Sequence, residues 1–108
     1  MPGNHVVVLS TVPDQKSAEN IAATLVEERV AACVNVVPGL TSIYRWKDGI
    51  KREPECLLII KTSAHNFEAL RQRLRGLHPY ELPEIIALGI GEGDPEYLTW
   101  LTESTRPK

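Results

Sequence analysis

Residues 32–62 read Ala32-Cys33-Val34-Asn35-Val36-Val37-Pro38-Gly39-Leu40-Thr41-Ser42-Ile43-Tyr44-Arg45-Trp46, then Lys47-Asp48-Gly49, then Ile50-Lys51-Arg52-Glu53-Pro54-Glu55-Cys56-Leu57-Leu58-Ile59-Ile60-Lys61-Thr62. Two runs rich in β-branched and aromatic residues flank a turn signal, the pattern of a hairpin. Each run is roughly twice the usual strand length of about 5–6 residues. At about 3.3 Å per residue, the hairpin is expected to project roughly 15–20 Å beyond the sheet it belongs to. The projecting arm carries Ile43, Tyr44, Trp46 and Ile50. A two-stranded arm is marginal in water and its open edge invites pairing. The sequence therefore predicts a homo-oligomer built by strand pairing between subunits, with these four residues at the interface. The competing reading is a hairpin ending near Pro38-Gly39, with residues 41–54 as a mobile loop. Pro38-Gly39 predicts a bulge or an edge position, because proline cannot donate to the ladder. Pro54 also falls inside the arm and needs a bulge or an unpaired edge.

Working outward, residues 5–12 form an apolar run ended by Pro13, which reads as a buried first strand. Asp14 is an N-cap candidate, and Ala18, Ile21, Ala22 and Leu25 follow at helical spacing to about Arg29. The third strand ends in Leu57-Leu58-Ile59-Ile60, apolar on both faces. Ser63 is the next N-cap candidate. Phe67, Leu70, Leu74 and Leu77 mark a second helix, which Gly76 is expected to end. His78-Pro79-Tyr80-Glu81-Leu82-Pro83 reads as an extended loop, since residues before proline avoid the α region. Residues 84–90 read as a fourth strand and 91–93 as a turn. Asp94-Pro95 caps a short terminal helix with Tyr97, Leu98, Trp100 and Leu101. The order βαββαβ plus a helix predicts one α+β domain over residues 1–108, with a ferredoxin-like antiparallel sheet and both main helices on one face. The expected strand order is fourth, first, third, second.

A chain of 108 residues with 43% hydrophobic content suits one domain with one core. A net charge of −2 argues against a nucleic-acid partner. The densest basic stretch, Arg71, Arg73 and Arg75, reads as a solvated helix face or, alternatively, an anion or partner contact. No apolar run approaches the roughly 18 residues of a membrane span. Residues 1–5 lack the basic start of a secretory leader, so the expected location is cytoplasmic. Cys33 and Cys56 are then reduced thiols. The hairpin register also sets them several residues apart, too far for a disulfide.

Motifs for nucleotide, zinc-protease or paired-cysteine chemistry are absent. Catalysis is not expected, because no nucleophile has an evident base. Cys33 is either a packed thiol or a thiolate ligand for a soft divalent metal. His78 is either an exposed loop histidine or an imidazole ligand. Glu81 and Glu84 either bring carboxylates to the same pocket or pair with basic residues. Asp14, Glu53 and Glu55 read as solvated charges. Tyr44 and Trp46 share one strand face, which suits an interface better than a ligand platform.

Several segments together resemble the CutA divalent-cation tolerance family. They are Val8-Leu9-Ser10-Thr11-Val12-Pro13-Asp14, Glu28-Arg29-Val30-Ala31-Ala32-Cys33-Val34-Asn35, Thr41-Ser42-Ile43-Tyr44-Arg45-Trp46, Ile60-Lys61-Thr62, His78-Pro79-Tyr80-Glu81-Leu82-Pro83-Glu84 and Tyr97-Leu98-Thr99-Trp100-Leu101. The resemblance implies a homotrimer similar in architecture to the PII signalling proteins. It further implies binding of copper or another divalent metal ion, with none required for folding. Matched by motif, Cys33 is the family's Ala-Ala-Cys thiol, and His78 and Glu81 lie in its His-Pro-Tyr-Glu loop, giving Cys33, His78 and Glu81 as the expected metal ligands. A sensor that binds a small anionic ligand between subunits and a scaffold for a protein partner are the alternatives.

Overall fold

The computed structural model describes residues 4–107. The leader reading at residues 1–3 lies outside them. The elements are β1 (His5–Val12), α1 (Gln15–Glu27), β2 (Cys33–Trp46), β3 (Gly49–Ser63), a 3-10 turn (Ala64–Asn66), α2 (Phe67–Leu77), β4 (Ile86–Gly89) and α3 (Pro95–Ser104). The sheet is antiparallel in the expected order, β2-β3-β1-β4.

Alternation along β1 divides the sheet into two unlike faces. Val6, Val8, Ser10 and Val12 are buried with Leu58 and Ile60 of β3 beneath α1 and α2, which contribute Ala18, Ile21, Leu25, Leu70 and Leu74. Asp14 caps α1 as expected, its Oδ1 accepting from the Ser17 amide at 2.8 Å. The opposite face lies away from α1 and α2, and only its end meets α3, where His5 bonds Thr102 and Ser63 bonds Thr105. The register places Val7, Leu9, Val37, Leu57, Ile59, Ile86 and Leu88 there, and Leu88 is 55% exposed.

The hairpin is as long as expected. Its strands meet in a two-residue turn, with Trp46 opposite Gly49 and Lys47 in the left-handed region at φ 56°. β1 ends at Val12 opposite Cys56, so residues 40–55 extend past the rest of the sheet. The short-hairpin alternative, with residues 41–54 as a loop, is overturned by continuous pairing from Leu40–Glu55 to Trp46–Gly49. The bulge falls at Pro38-Gly39, where the register shifts between Val37 and Leu40 and Gly39 takes φ 84°. Pro54 stays in register opposite Thr41, on the stretch where, among the described residues, the outer edge of β3 has no strand beside it.

Four local expectations change. α1 stops at Glu27, and Arg29 turns left-handed at φ 63°. Ser63 does not cap α2. Its hydroxyl instead meets the Thr105 hydroxyl at 2.6 Å, and a 3-10 turn precedes the helix. Gly76 lies inside α2, which ends at Leu77 because His78 is extended before Pro79. β4 covers four residues rather than seven, since β1 pairs with it only from Val6 to Leu9. The arginines of α2 are paired: Arg71 with Glu68, Arg73 with Glu28, and Arg75 with the Glu81 carbonyl.

Candidate functional site

A concavity lies on the side of the sheet away from α1 and α2, between the arm and the loop after α2. Its volume is about 720 Å³, within the range of ligand pockets. The arm contributes Ser42, Tyr44, Trp46, Lys51, Glu53 and Glu55, with Ile43 at its margin. Pairing explains why they converge: Tyr44 faces Lys51, Ser42 faces Glu53, and Leu40 faces Glu55, all on one side of the ribbon. The loop contributes Pro79, Tyr80, Glu81, Leu82 and Glu84. Four glutamates against one lysine make the cleft acidic, which is unsuited to the small anion considered from sequence.

A buried polar chain fixes the loop to the sheet. His78 is 8% exposed, not an exposed loop residue. Its Nδ1 accepts from the Tyr80 amide at 3.1 Å, so Nε2 carries the proton and donates to the Thr11 carbonyl at 2.8 Å. Burial holds the imidazole below its ordinary pKa, against the raising influence of the Thr11 bond and of Glu55. The Tyr80 hydroxyl donates to Glu55. Glu55, expected as a solvated charge, is 6% exposed. Burial and the neighbouring carboxylate together push the Tyr80 phenol up. On the arm, the Tyr44 hydroxyl donates to Glu53 at 2.8 Å, which raises the Tyr44 phenol's pKa.

Cys33 is elsewhere. It opens β2 opposite Lys61, half-buried on the side away from α1 and α2, with Sγ 3.9 Å from Asn35 Oδ1. Lys61 Nζ donates to the same Asn35 oxygen at 2.8 Å. Thr11, which holds His78, faces Leu57, four positions along β3 from Lys61. Cys33 and the His78 anchor are thus separated by about 13 Å along the sheet. Glu81 lines the acidic cleft with neither of them. Among the described residues no cluster of three or more His, Cys, Asp or Glu side chains is disposed to hold a metal ion. The three expected ligands therefore do not form one site within a single subunit. Both thiols are free, and Cys33 and Cys56 face opposite sides of the sheet about five residues, or roughly 16 Å, out of register.

The four expected interface residues are on the arm, with Ile43 58% and Ile50 59% exposed. Sequence reading missed the buried Tyr80–Glu55 pair, for which no local pattern exists. It also missed the apolar sheet face turned away from α1 and α2. The signal for that face was present: Leu57-Leu58-Ile59-Ile60 is apolar on both sides, the pattern of a strand covered twice.

Comparison with known proteins agrees with the motif reading. Residues 6–104 match the family model described as CutA1 divalent ion tolerance protein. The divalent-cation tolerance protein CutA of Thermus thermophilus is 58% identical over 92% of this chain and 96% of its own length. The crystal structure of CutA from Xylella fastidiosa is 46% identical, with a TM-score of 0.94 over 96% of this chain and 100% of that one. A structure described as the periplasmic divalent cation tolerance protein CutA from Archaeoglobus fulgidus is 34% identical, with a TM-score of 0.92 over 94% of this chain and 99% of that one. A family-model match over most of the chain, on a fold and motif set that agree with it, places this chain in the CutA1 divalent ion tolerance family.

Proposed function

We propose that this chain acts in divalent cation tolerance as a homotrimer of PII-like architecture that binds copper or another divalent ion without catalysing a reaction. The observation that carries the assembly is the uncovered side of the sheet. Val7, Leu9, Leu57, Ile59, Ile86 and Leu88 share it with the arm, and such an apolar surface marks an interface. Cys33 lies on the same side, so covering that side by subunits carries several copies of a soft thiol to the assembly's interior or rim. Cys33 is the first ligand of the proposal. For His78 to ligate, one of its two hydrogen bonds must be given up, and Glu81 serves only if another subunit brings a partner donor. Two unpaired thiols support a cytoplasmic setting and the net charge of −2 supports the absence of a nucleic-acid partner; among the described residues no helix is long and apolar enough to cross a membrane.

Light scattering across a dilution series tests the assembly: three times the subunit mass is expected, and a monomer at micromolar concentration refutes it. Titration of copper and other divalent ions into the wild type, Cys33→Ser and His78→Ala tests the ligands. Loss of binding in Cys33→Ser supports the assignment. No binding tighter than about 1 mM, or unchanged binding in both variants, refutes it.

A further inference from the structure

The acidic cleft holds more accepting oxygen than the chain satisfies. The Tyr44 hydroxyl donates to Glu53 Oε1 and the Tyr80 hydroxyl to Glu55 Oε2. Each phenol takes one oxygen and leaves the other. Among the described residues the second oxygens of Glu53 and Glu55, and the carboxylates of Glu81 and Glu84, receive no side-chain hydrogen bond or ion pair. Glu55 is the informative one. It is 6% exposed, yet among the described residues only Ser10 Oγ is both sealed from solvent and without a partner. The free Glu55 Oε1 therefore opens into the cleft that the residue lines. A carboxylate stripped of nearly all its water, with one oxygen left facing a cavity, is matched by a donor from whatever fills that cavity.

The four carboxylates do not converge on a point. Glu53 and Glu55 stand two residues apart on one strand, roughly 6–7 Å, and Glu81 and Glu84 belong to the loop on the other wall. Among the described residues no three acidic, histidine or cysteine side chains gather closely enough for one metal ion. Spread acceptors call for spaced donors. Between them lie the rings of Tyr44 and Trp46 and the side chain of Leu82, 64% exposed. Such surfaces suit methylene groups, and aromatic faces attract ammonium; Lys47 Nζ already stands 5.6 Å from the centre of the Trp46 ring. An anionic group on the ligand would meet glutamates on both walls. We infer that the cleft binds an aliphatic polyamine, its ammonium groups on the glutamates and its methylenes along Tyr44, Trp46 and Leu82. A protonated polyamine offers only N–H donors, which is what a wall of acceptors requires. Lys51, opposite Tyr44, is the cation among the lining residues that opposes it. This ligand goes beyond the metal ion proposed above, whose first ligand, Cys33, lies elsewhere on the sheet.

Calorimetric titration of the full chain, in whatever assembly it adopts, tests this. The probes are spermidine and putrescine, with magnesium as a bare ion of putrescine's charge. No transition metal is present, so the metal assignment above stands or falls separately. Half-saturation by spermidine below about 1 mM is expected, with putrescine weaker but tighter than magnesium. Glu81→Gln with Glu84→Gln, both at exposed positions, is expected to weaken spermidine at least about tenfold. Lys51→Gln removes the opposing charge and is expected to tighten it. Glu19→Gln with Glu27→Gln makes the same change of charge at exposed positions on α1, and is expected to leave the affinity within about twofold. Circular dichroism checks the fold of each variant. Three results would each overturn the proposal: no binding tighter than about 1 mM, magnesium as tight as putrescine, or equal losses in the cleft and α1 variants. Carbodiimide coupling of spermidine to the wild type needs no variant. Amides at Glu53, Glu55, Glu81 or Glu84 in preference to Glu19 and Glu27 are expected by mass spectrometry, and even labelling across these positions refutes the site.

Discussion

Replacing Tyr80 by Phe removes one hydroxyl and leaves a buried carboxylate without its donor. Glu55 is 6% exposed and the Tyr80 hydroxyl is its hydrogen-bond partner. A hydrogen bond to a charged group contributes about 1.5–3 kcal/mol net, so Tyr80→Phe is expected to lower stability by that amount, roughly 10- to 150-fold in the folding constant. Glu55→Leu strands the hydroxyl instead and is expected to cost about 1–3 kcal/mol. The double variant leaves neither group without a partner. Replacing both members of a pair by apolar groups is nearly neutral, so the double chain is expected to be no less stable than Tyr80→Phe alone. The assay is urea unfolding of the four proteins at one protomer concentration, since the proposed assembly would make stability depend on concentration. Losses that add to within about 0.5 kcal/mol would refute the coupling, and with it the role of this pair in fixing the loop to the arm.

The pH dependence follows from His78. Its folded pKa lies below the ordinary 6.5 because of burial, so the unfolded chain takes up the proton first on acidification. Stability from this group is therefore complete above about pH 6.5 and lost as pH falls below it. His78→Gln is expected to flatten the fall in urea midpoint between about pH 7.5 and 5, and equal slopes would refute this. The Ser10 hydroxyl is fully buried and, among the described residues, without a hydrogen-bond partner. Ser10→Ala is expected to raise stability by about 1 kcal/mol in the same assay, and a loss would show that the hydroxyl is satisfied. Gly39→Ala meets open space but forces a side chain onto φ 84°. It is expected to cost about 1–2 kcal/mol, and a neutral result would mean the bulge relaxes.

Periodicity and punctuation made the architecture legible. Val6, Val8 and Val12 at period two, the Asp14 cap and the Pro38-Gly39 interruption each act within a few residues of where they stand. Departures arose where distant chain intervened. The Ser63 hydroxyl could have capped α2, but Thr105, 42 residues away, takes it. Glu84 has strand-like neighbours, yet β1 pairs with β4 only as far as Leu9–Ile86. The site was less legible for the same reason. His78 is buried because its loop passes the end of β1 and reaches the Thr11 carbonyl, 67 positions earlier. Glu55 sits in a charged run, Arg52-Glu53-Pro54-Glu55, that reads as solvent-facing. Only the loop brings Tyr80 to it.

The uncovered side of the sheet bears on the life of a newly made chain. Until something seats on it, Val7, Leu9, Leu57, Ile59, Ile86 and Leu88 face water beside the open edges of β2 and β4. Apolar surface next to an unpaired edge is what chaperones and proteases recognise and what seeds aggregation. If the chain assembles as proposed, synthesis faster than assembly selects against itself: surplus single chains would be cleared while assembled ones persist. On that proposal, the abundance of the protein in a cell would depend on encounter between its copies as well as on expression.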